Sequence, residues 1–478
     1  MPSDRYASVW TRIGGEPIKM GNLVVTDREC RFSYTAEFIE SGLPGLSLVV
    51  PPRLIGGGAI VHKSRPGMPL HPRLMAMIPP DTPGNLQRRI FSKVLAKRGI
   101  YPAPGIEMDW SLLLLAGRNG IGHLDVFQDD QMAAEWYGKI LSGEVTKHRT
   151  ARSSLWRTLK DEVRQTGLGD DDLDSVASLL GPTPSVGGMI TKMLLDIPDK
   201  KAWNGDFLVP AGIGADPAKF LSAVVKMEPP HYAGLMSLES LCLDVHRELG
   251  FQVPRSWALE IDGLKLLAIE RFDRSRDGRP VAFESLLTLF AGGSKNVSTS
   301  NDVEWNDVGR WMEKLGSVCN LDTGKSRETL FKRLAVALMT GNGDMHLDNL
   351  GIVGGPENAV LAPVYDPSPM RAWKIHDMRM SVPIDFEHGR PVYEQIAATA
   401  RAFGFSEARG KDLLVWAYET TRDYPERVMA LQDVPQERRE RLVAVVQVER
   451  DLLAKTFGLE HLDTPENQDD SVQGPAFS

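Results

Sequence analysis

The chain has 478 residues, 42% hydrophobic and 25% charged, an ordinary globular composition with length for about two to four structural units. Its 55 Lys and Arg against 63 Asp and Glu leave a net charge of -8, which excludes a protein that coats nucleic acid or an anionic membrane unaided. Cys30, Cys242 and Cys319 lie too far apart for a CxxC site or a disulfide framework, Met1–Tyr6 carries no secretory pattern, and the apolar run Leu112–Gly117 is far short of the roughly 20 residues of a membrane span, so a cytoplasmic protein with no membrane partner is expected.

Residues 1–130 carry strand-like alternation at Ser8–Ile13, Leu23–Thr26 and Leu46–Val50, punctuated by Gly-Gly, Gly-Asn and Pro-Pro turns. A helix is predicted from the Pro-rich stretch after Ile78 through Leu86 to Arg98. Gln131 to Leu180 is polar and helix-favouring, and its basic stretch Lys147–Arg152 reads as a solvated helix face or connector, with an anion site as the other reading. From Thr183 to Arg274 the pattern is strand, turn, strand, helix, strand. Phe220–Met227 and Leu264–Glu270 are the clearest strands, and Leu238, Leu241, Cys242, Val245 and Leu249 recur at helical spacing behind a Ser237 cap and before a Gly250 stop. After Phe283 the chain is mostly helical, interrupted by a hairpin at Leu350–Val353 and Ala359–Val364, and residues 463–478 lack core residues and are expected to be disordered. An α+β protein follows: a sheet-rich front in units 1–130 and 131–282, a helical back over 283–462, and a cleft between lobes.

Several phosphate motifs fail on spacing. Gly324-Lys325-Ser326 has Cys319 where a P-loop needs glycine, Gly212-Ile-Gly214 meets Pro217, and Gly120-Ile-Gly122 meets Asp125. The ten histidines form no HxH or HExxH pair, and there is no G-x-S-x-G elbow.

One constellation succeeds. The helical run Leu330–Met339 gives way to Gly341-Asn-Gly-Asp344-Met-His346-Leu-Asp-Asn349, and Tyr365-Asp366 follows the next hairpin. Phosphoryl transfer needs a carboxylate to position or deprotonate the attacking hydroxyl, and an amide oxygen with a second carboxylate to hold Mg²⁺ on ATP phosphates. Asp344 is the candidate base, and Asn349 and Asp366 the candidate metal ligands. Read alone, the loop is also satisfied as a capped turn. Upstream, Lys226 lies in an apolar strand where an unpaired ammonium is costly, and Glu239 begins the next helix within reach of it. The other reading is an edge-strand lysine in solvent, with Glu239 as a first-turn charge. Ser185-Val-Gly187-Gly188, with Lys192 after it, is a glycine turn that lets backbone approach phosphate, or a plain hairpin. Glu270-Arg-Phe272-Asp-Arg274 leaves a strand where a hinge would offer backbone to adenine.

In this order the residues resemble the HipA family, serine/threonine-kinase toxins of bacterial type II toxin–antitoxin systems. The resemblance rests on Ser185–Gly188 with Lys192, Val224–Lys226, Glu239 through Gly250 with Val253-Pro254, the Glu-Arg-Phe-Asp-Arg run at 270–274, Asp344–Asn349, and Tyr365-Asp366 with Pro369. Phe32-Ser-Tyr, Pro79–Pro83 and Gly117–Gly122 resemble the family's N-terminal subdomain. Ile190 departs from the glutamine many members carry there. The resemblance implies a two-lobed protein-kinase-like fold with an extra N-terminal subdomain. It also implies ATP and Mg²⁺ as cofactors, Lys226 on the α/β-phosphates, Glu270 and Phe272 backbone on adenine, His346 supporting the catalytic loop, and Ser185 as an autophosphorylated regulatory site. Implied partners are a HipB-like helix-turn-helix antitoxin, which carries the DNA contact, and a protein substrate such as an aminoacyl-tRNA synthetase. A kinase of lipids or small molecules, or a non-catalytic corepressor, remains open on the same residues.

Overall fold

The computed structural model describes residues 4–82, 85–141, 156, 190–206, 216 and 218–459. In the front sheet, the strands β1 (Arg5–Thr11), β2 (Ile18–Val25), β3 (Glu29–Tyr34), β4 (Ile60–Lys63) and β5 (Asp125–Phe127) lie in the order β4-β3-β2-β1-β5. Their alternation sends Val9, Leu23, Val25, Cys30 and Phe32 to one core, where α1 (Leu86–Lys97) and α2 (Ile106–Ala116) add Ile90, Phe91, Leu112 and Leu113. Asn85 caps α1, its side chain accepting from Arg88 N at 2.8 Å. Helix α3 (Asp130–Leu141) packs Ala133 and Tyr137 on Phe127.

Leu46–Val50 is not a strand as its alternation predicts. It is a turn in which Ser47 Oγ and Leu48 N donate to the Glu284 carboxylate at 2.8 and 2.9 Å. Its apolar residues serve different cores, Leu46 the front and Leu48 the back. Tertiary demand has overridden local pattern.

The second sheet runs β6-β7-β9-β8, from β6 (Lys192–Pro198), β7 (Phe220–Met227), β8 (Ser256–Ile261) and β9 (Leu264–Glu270). Strand β8 goes beyond the sequence reading. Asp262 and Gly263, at φ 51° and 74°, make the two-residue hairpin that joins it to β9. One face of this sheet (Met193, Leu195, Ala223, Val225, Leu266, Ala268) shares the front core, and the other packs Leu267 and Ile269 on α4 (Leu235–Glu248). Gly234, not Ser237, occupies the α4 N-cap. The Glu228 carboxylate accepts from Met236 N at 3.1 Å, which frees Ser237 to donate to Asp433. Gly250 stops the helix as expected, at φ 81°.

The back lobe is built from α5 (Trp305–Leu315), α6 (Thr323–Thr340), α7 (Glu407–Thr420) and α8 (Gln436–Phe457), with a small sheet β10-β11-β12 (Phe283–Ser285, Gly351–Val353, Val360–Leu361) at its top. Gly324-Lys-Ser lies in the first turn of α6 behind the Asp322 cap, so it forms no phosphate loop. Among the described residues no helix is long and apolar enough to cross a membrane. The basic stretch 147–152 and the tail 463–478 lie outside the described residues.

Candidate active site

Asp344, His346 and Asn349 ride on the turn that leaves α6. Gly341 ends that helix at φ 69°, and a Cβ on Gly343 would collide with the Met378 carbonyl, so the loop lies flush against residues 371–379. Asn342 Oδ1 accepts from Asp344 N at 3.1 Å. His346 Nδ1 accepts from Asp348 N at 3.2 Å and caps the Leu347–Asn349 turn, while its Nε2 stands 3.9 Å from Asp344 Oδ1. Asn349 Nδ2 donates to the Asp344 carbonyl at 2.8 Å, and its Oδ1 is buried with no donor. The Asp344 side chain is 38% exposed. Open to the cleft on one side, it is otherwise surrounded by protein, and this loss of water first, then Asp366, pushes its carboxyl above the ordinary range against the pull of His346, Lys192 and His376.

Asp366 closes the site from the next loop. Its φ of 52° is one few non-glycine residues adopt, and such backbone concentrates where a side chain is held for a purpose. Lys192 and Lys226 are cross-strand partners on β6 and β7, so their side chains leave the same face. They converge on Asp366, at 2.6 Å to Oδ2 and 2.8 Å to Oδ1. Lys226 also pairs with Glu239, whose Oε2 accepts from Ser368 Oγ at 3.0 Å. Burial opposes charge on Lys226, yet Asp366 and Glu239 outweigh it and raise the ammonium. Burial likewise works against the Asp366 charge, and the two lysines overcome it and hold the carboxyl well below its usual value. The solvent-facing reading of Lys226 falls, since β7 is a central strand and the residue is 1% exposed.

Where β9 ends, the Glu270 carboxylate is engaged by Arg255 at 2.8 and 3.1 Å, beside a cavity of about 720 Å³ that Arg12, Asp199 and Arg274 also line. The Phe272 ring packs 5.3 Å from those of both Phe283 and Tyr365, tying this segment to the residue before Asp366. Ser185, Gly187 and Gly188 lie outside the described residues, and Ile190 packs beside the core under α4.

Three groups here escape sequence reasoning. Ser368 holds Glu239, Tyr232 meets His376 at 2.6 Å, and the fully buried Glu449 of α8 accepts from Arg371 at 2.7 Å and Arg379 at 2.9 Å. No local signal marks Ser368 or Tyr232, and Glu449 sits in a charged helix that reads as solvated.

For a divalent cation the residues fit. Asn349 Oδ1 is a buried acceptor lacking a donor and Asp366 a carboxylate kept ionised, a hard-oxygen set of the kind Mg²⁺ prefers.

The model of the HipA-like C-terminal domain family matches residues 184–424. "Putative kinase Y4dM" of Sinorhizobium fredii is 25% identical over 379 residues, 74% of this chain and 75% of that protein. A Haemophilus influenzae protein also called a putative kinase is 28% identical over 156 residues, 30% of this chain and 43% of its own length. Among solved structures, the toxin–antitoxin complex of Shewanella oneidensis HipA, HipB and operator DNA matches with a TM-score of 0.62 at 17% identity, covering 94% of this chain and 97% of the matched one. That likeness extends the two-lobed kinase-like fold to the front subdomain.

Proposed function

The chain belongs to the HipA-like C-terminal domain family, and from that premise we propose that it is an ATP- and Mg²⁺-dependent serine/threonine protein kinase, the toxin of a HipBA-like pair. The observation that supports this best is the convergence of Lys192, Lys226 and Glu239 on Asp366, next to a loop that presents a proton-accepting Asp344. In this reading Lys226 and Lys192 turn from Asp366 to the phosphates of ATP, and Glu239 keeps Lys226 aimed. Glu270 and Phe272 present backbone to adenine, and Gly187 and Gly188 cradle phosphate. Asp344, raised by burial, takes the proton from an acceptor hydroxyl as its oxygen bonds to the γ-phosphorus and the bond to ADP breaks. Bound at Asn349 and Asp366, Mg²⁺ would neutralise phosphate charge. Asn349 also ties the loop to the Asp344 backbone, and His346 caps it.

An acceptor such as an aminoacyl-tRNA synthetase, and regulation through phosphate on Ser185, belong to the same reading. So does a helix-turn-helix antitoxin, since the matched Shewanella protein is bound to HipB and operator DNA. Labelled ATP and Mg²⁺ supplied with protein, lipid and small-molecule acceptors test the assignment. Transfer to serine of a protein, including the chain itself, is expected. Transfer only to a small molecule or lipid, or to nothing, overturns it.

A further inference from the structure

Between Lys226 and Glu239 the chain makes a short turn, Pro230–Tyr232, and beyond Asp366 it makes another, Lys374–His376. These turns meet. Tyr232, 1% exposed, places its hydroxyl 2.6 Å from His376 Nε2, and its ring stands edge-on to Trp373 with centroids 5.4 Å apart. One end of this hydrogen bond therefore lies on the segment that carries the lysine and its glutamate, and the other on the segment that carries the metal-site carboxylate. The Asp344 carboxylate stands near this bond: after burial, it raises the Tyr232 phenol, and His376 draws the Asp344 carboxyl down.

The ties of Lys192 and Lys226 to Asp366 use groups assigned above to phosphate and metal, and they must loosen when a triphosphate enters, whereas Glu239 on Ser368 serves to aim Lys226. Tyr232 and His376 carry no such duty. The lobes also share the apolar core to which Tyr232 and Trp373 belong and a buried Cys242–Tyr424 contact at 3.4 Å, which hold them together without a polar group directed at the site. Rim contacts such as Lys265 to Asp433 and Arg427 to Glu248 are exposed and weak. The His376 turn is itself fixed from behind, because Arg371 and Arg379 flank it and both bind the buried Glu449.

We propose that Tyr232 and His376 are positioning residues, a hydrogen-bonded latch that keeps the lobes in register over Asp344 while Lys192 and Lys226 exchange Asp366 for phosphate. The proposal rests on the kinase reading. Its signature is a loss in kcat that does not follow stability, since the resting protein keeps its lysine–carboxylate ties.

The test is a double-mutant cycle on the full chain, with kcat and KM for ATP, ATP·Mg²⁺ affinity and melting temperature read for each variant. Tyr232→Phe keeps the ring and its Trp373 packing and removes the hydroxyl. His376→Ala removes the partner, and His376→Gln keeps a side chain able to bond the phenol. Each of the first two is expected to lower kcat about tenfold, as for one lost hydrogen bond made in a closed site. The double variant should be no worse than either, and His376→Gln should recover to within about threefold of wild type. Melting temperatures should stay within about 3 °C. Wild-type kcat in both single variants, additive losses in the double variant, or losses that track melting temperature overturn the latch. A wild-type chain that transfers no phosphate overturns the kinase reading instead, and the latch with it.

Discussion

At the junction between the front subdomain and the segment that follows β9, Asp273 accepts from Arg271 at 2.9 and 2.7 Å, from Arg274 at 3.0 Å and from Gly122 N at 2.7 Å. In the cleft, Asp366 accepts from Lys192 and Lys226 at 2.6 and 2.8 Å. Both carboxylates are buried and both are held ionised by cations. They differ in what surrounds the pair. The junction guanidinium groups also grip backbone, Arg271 to the Gly120 carbonyl at 2.7 Å and Arg274 to those of Gly120 and Gly122 at 2.9 Å, a planar fork matched to fixed acceptors. The cleft uses ammonium groups on flexible stems, point charges that can swing to another anion. The leftover atoms differ as well: unpaired guanidinium donors at the junction, and a buried acceptor, Asn349 Oδ1, at the catalytic loop. In the proposed kinase reading, one cluster is a permanent joint and the other an exchangeable holder.

Removing each carboxylate separates the two roles. Asp366→Asn is expected to fold, because Lys226 keeps Glu239, and to lose phosphate transfer by about 10³-fold or more, since the charge that anchors the cation is gone. Asp344→Asn should fail as completely, for want of a base. Labelled-ATP assays check both, and wild-type rates in either would break the comparison at its functional end. Asp273→Asn should do the reverse. Leaving Arg271 and Arg274 buried without their anion is expected to cost roughly 3–5 kcal/mol in urea unfolding, with ATP affinity in the cold within about threefold of wild type. An activity loss without a stability loss would make the junction part of the site.

Acid sharpens the same contrast. Burial alone would raise the Asp273 carboxyl, but Arg271 and Arg274 bring it from 3.8 down to about 2. A carboxyl depressed in the folded state stabilises above its unfolded pKa and loses that contribution as pH falls through the folded one. The Asp273 contribution is thus complete well above pH 3.8 and fades toward pH 2. It amounts to about 2 kcal/mol in all, of which about 1 kcal/mol is lost by pH 3. The stability gap between wild type and Asp273→Asn should shrink by that much from about pH 5 to pH 3, and a gap that stays constant would show that the arginines do not depress this carboxyl.

Legibility in the sequence follows the same division. Asp344, His346 and Asn349 stand out because glycines and a helix end announce their loop, Asp366 because it follows the next hairpin, and Lys226 because an ammonium inside an apolar strand demands a partner. The two-lobed α+β plan follows from where alternation gives way to helical spacing. Lys192 meeting Asp366 depends on the β6–β7 register and on a return of the chain 174 residues later, which no local pattern encodes. Ser368 and Tyr232 act only through such long-range contacts. Glu449 is hidden for another reason, since its charged helix reads as solvated while the residue is 0% exposed and binds two arginines from beneath the catalytic loop. Where Leu46–Val50 alternates without forming a strand, the pattern records two cores sharing one turn rather than one pleat.

The smallest expected effect bears on the leftover acceptor. Asn349 has two jobs that its atoms divide: Nδ2 holds the Asp344 carbonyl, and Oδ1 is free of any donor. If Oδ1 is a cation ligand, Asn349→Ala should raise the Mg²⁺ concentration for half-maximal transfer by at least about tenfold. The loss of the Nδ2 bond adds only a modest stability cost, about 1 kcal/mol. Asn349→Asp separates the jobs. It gives up the donor to Asp344 O but keeps an oxygen where Oδ1 lies, so the Mg²⁺ requirement should return toward wild type while thermal stability stays as low as in the alanine variant. A Mg²⁺ titration with saturating ATP, read beside melting curves, distinguishes the outcomes. An unchanged Mg²⁺ requirement in Asn349→Ala would make the orphaned oxygen a packing consequence of the loop, and would move the cation's protein ligands to Asp366 and other groups.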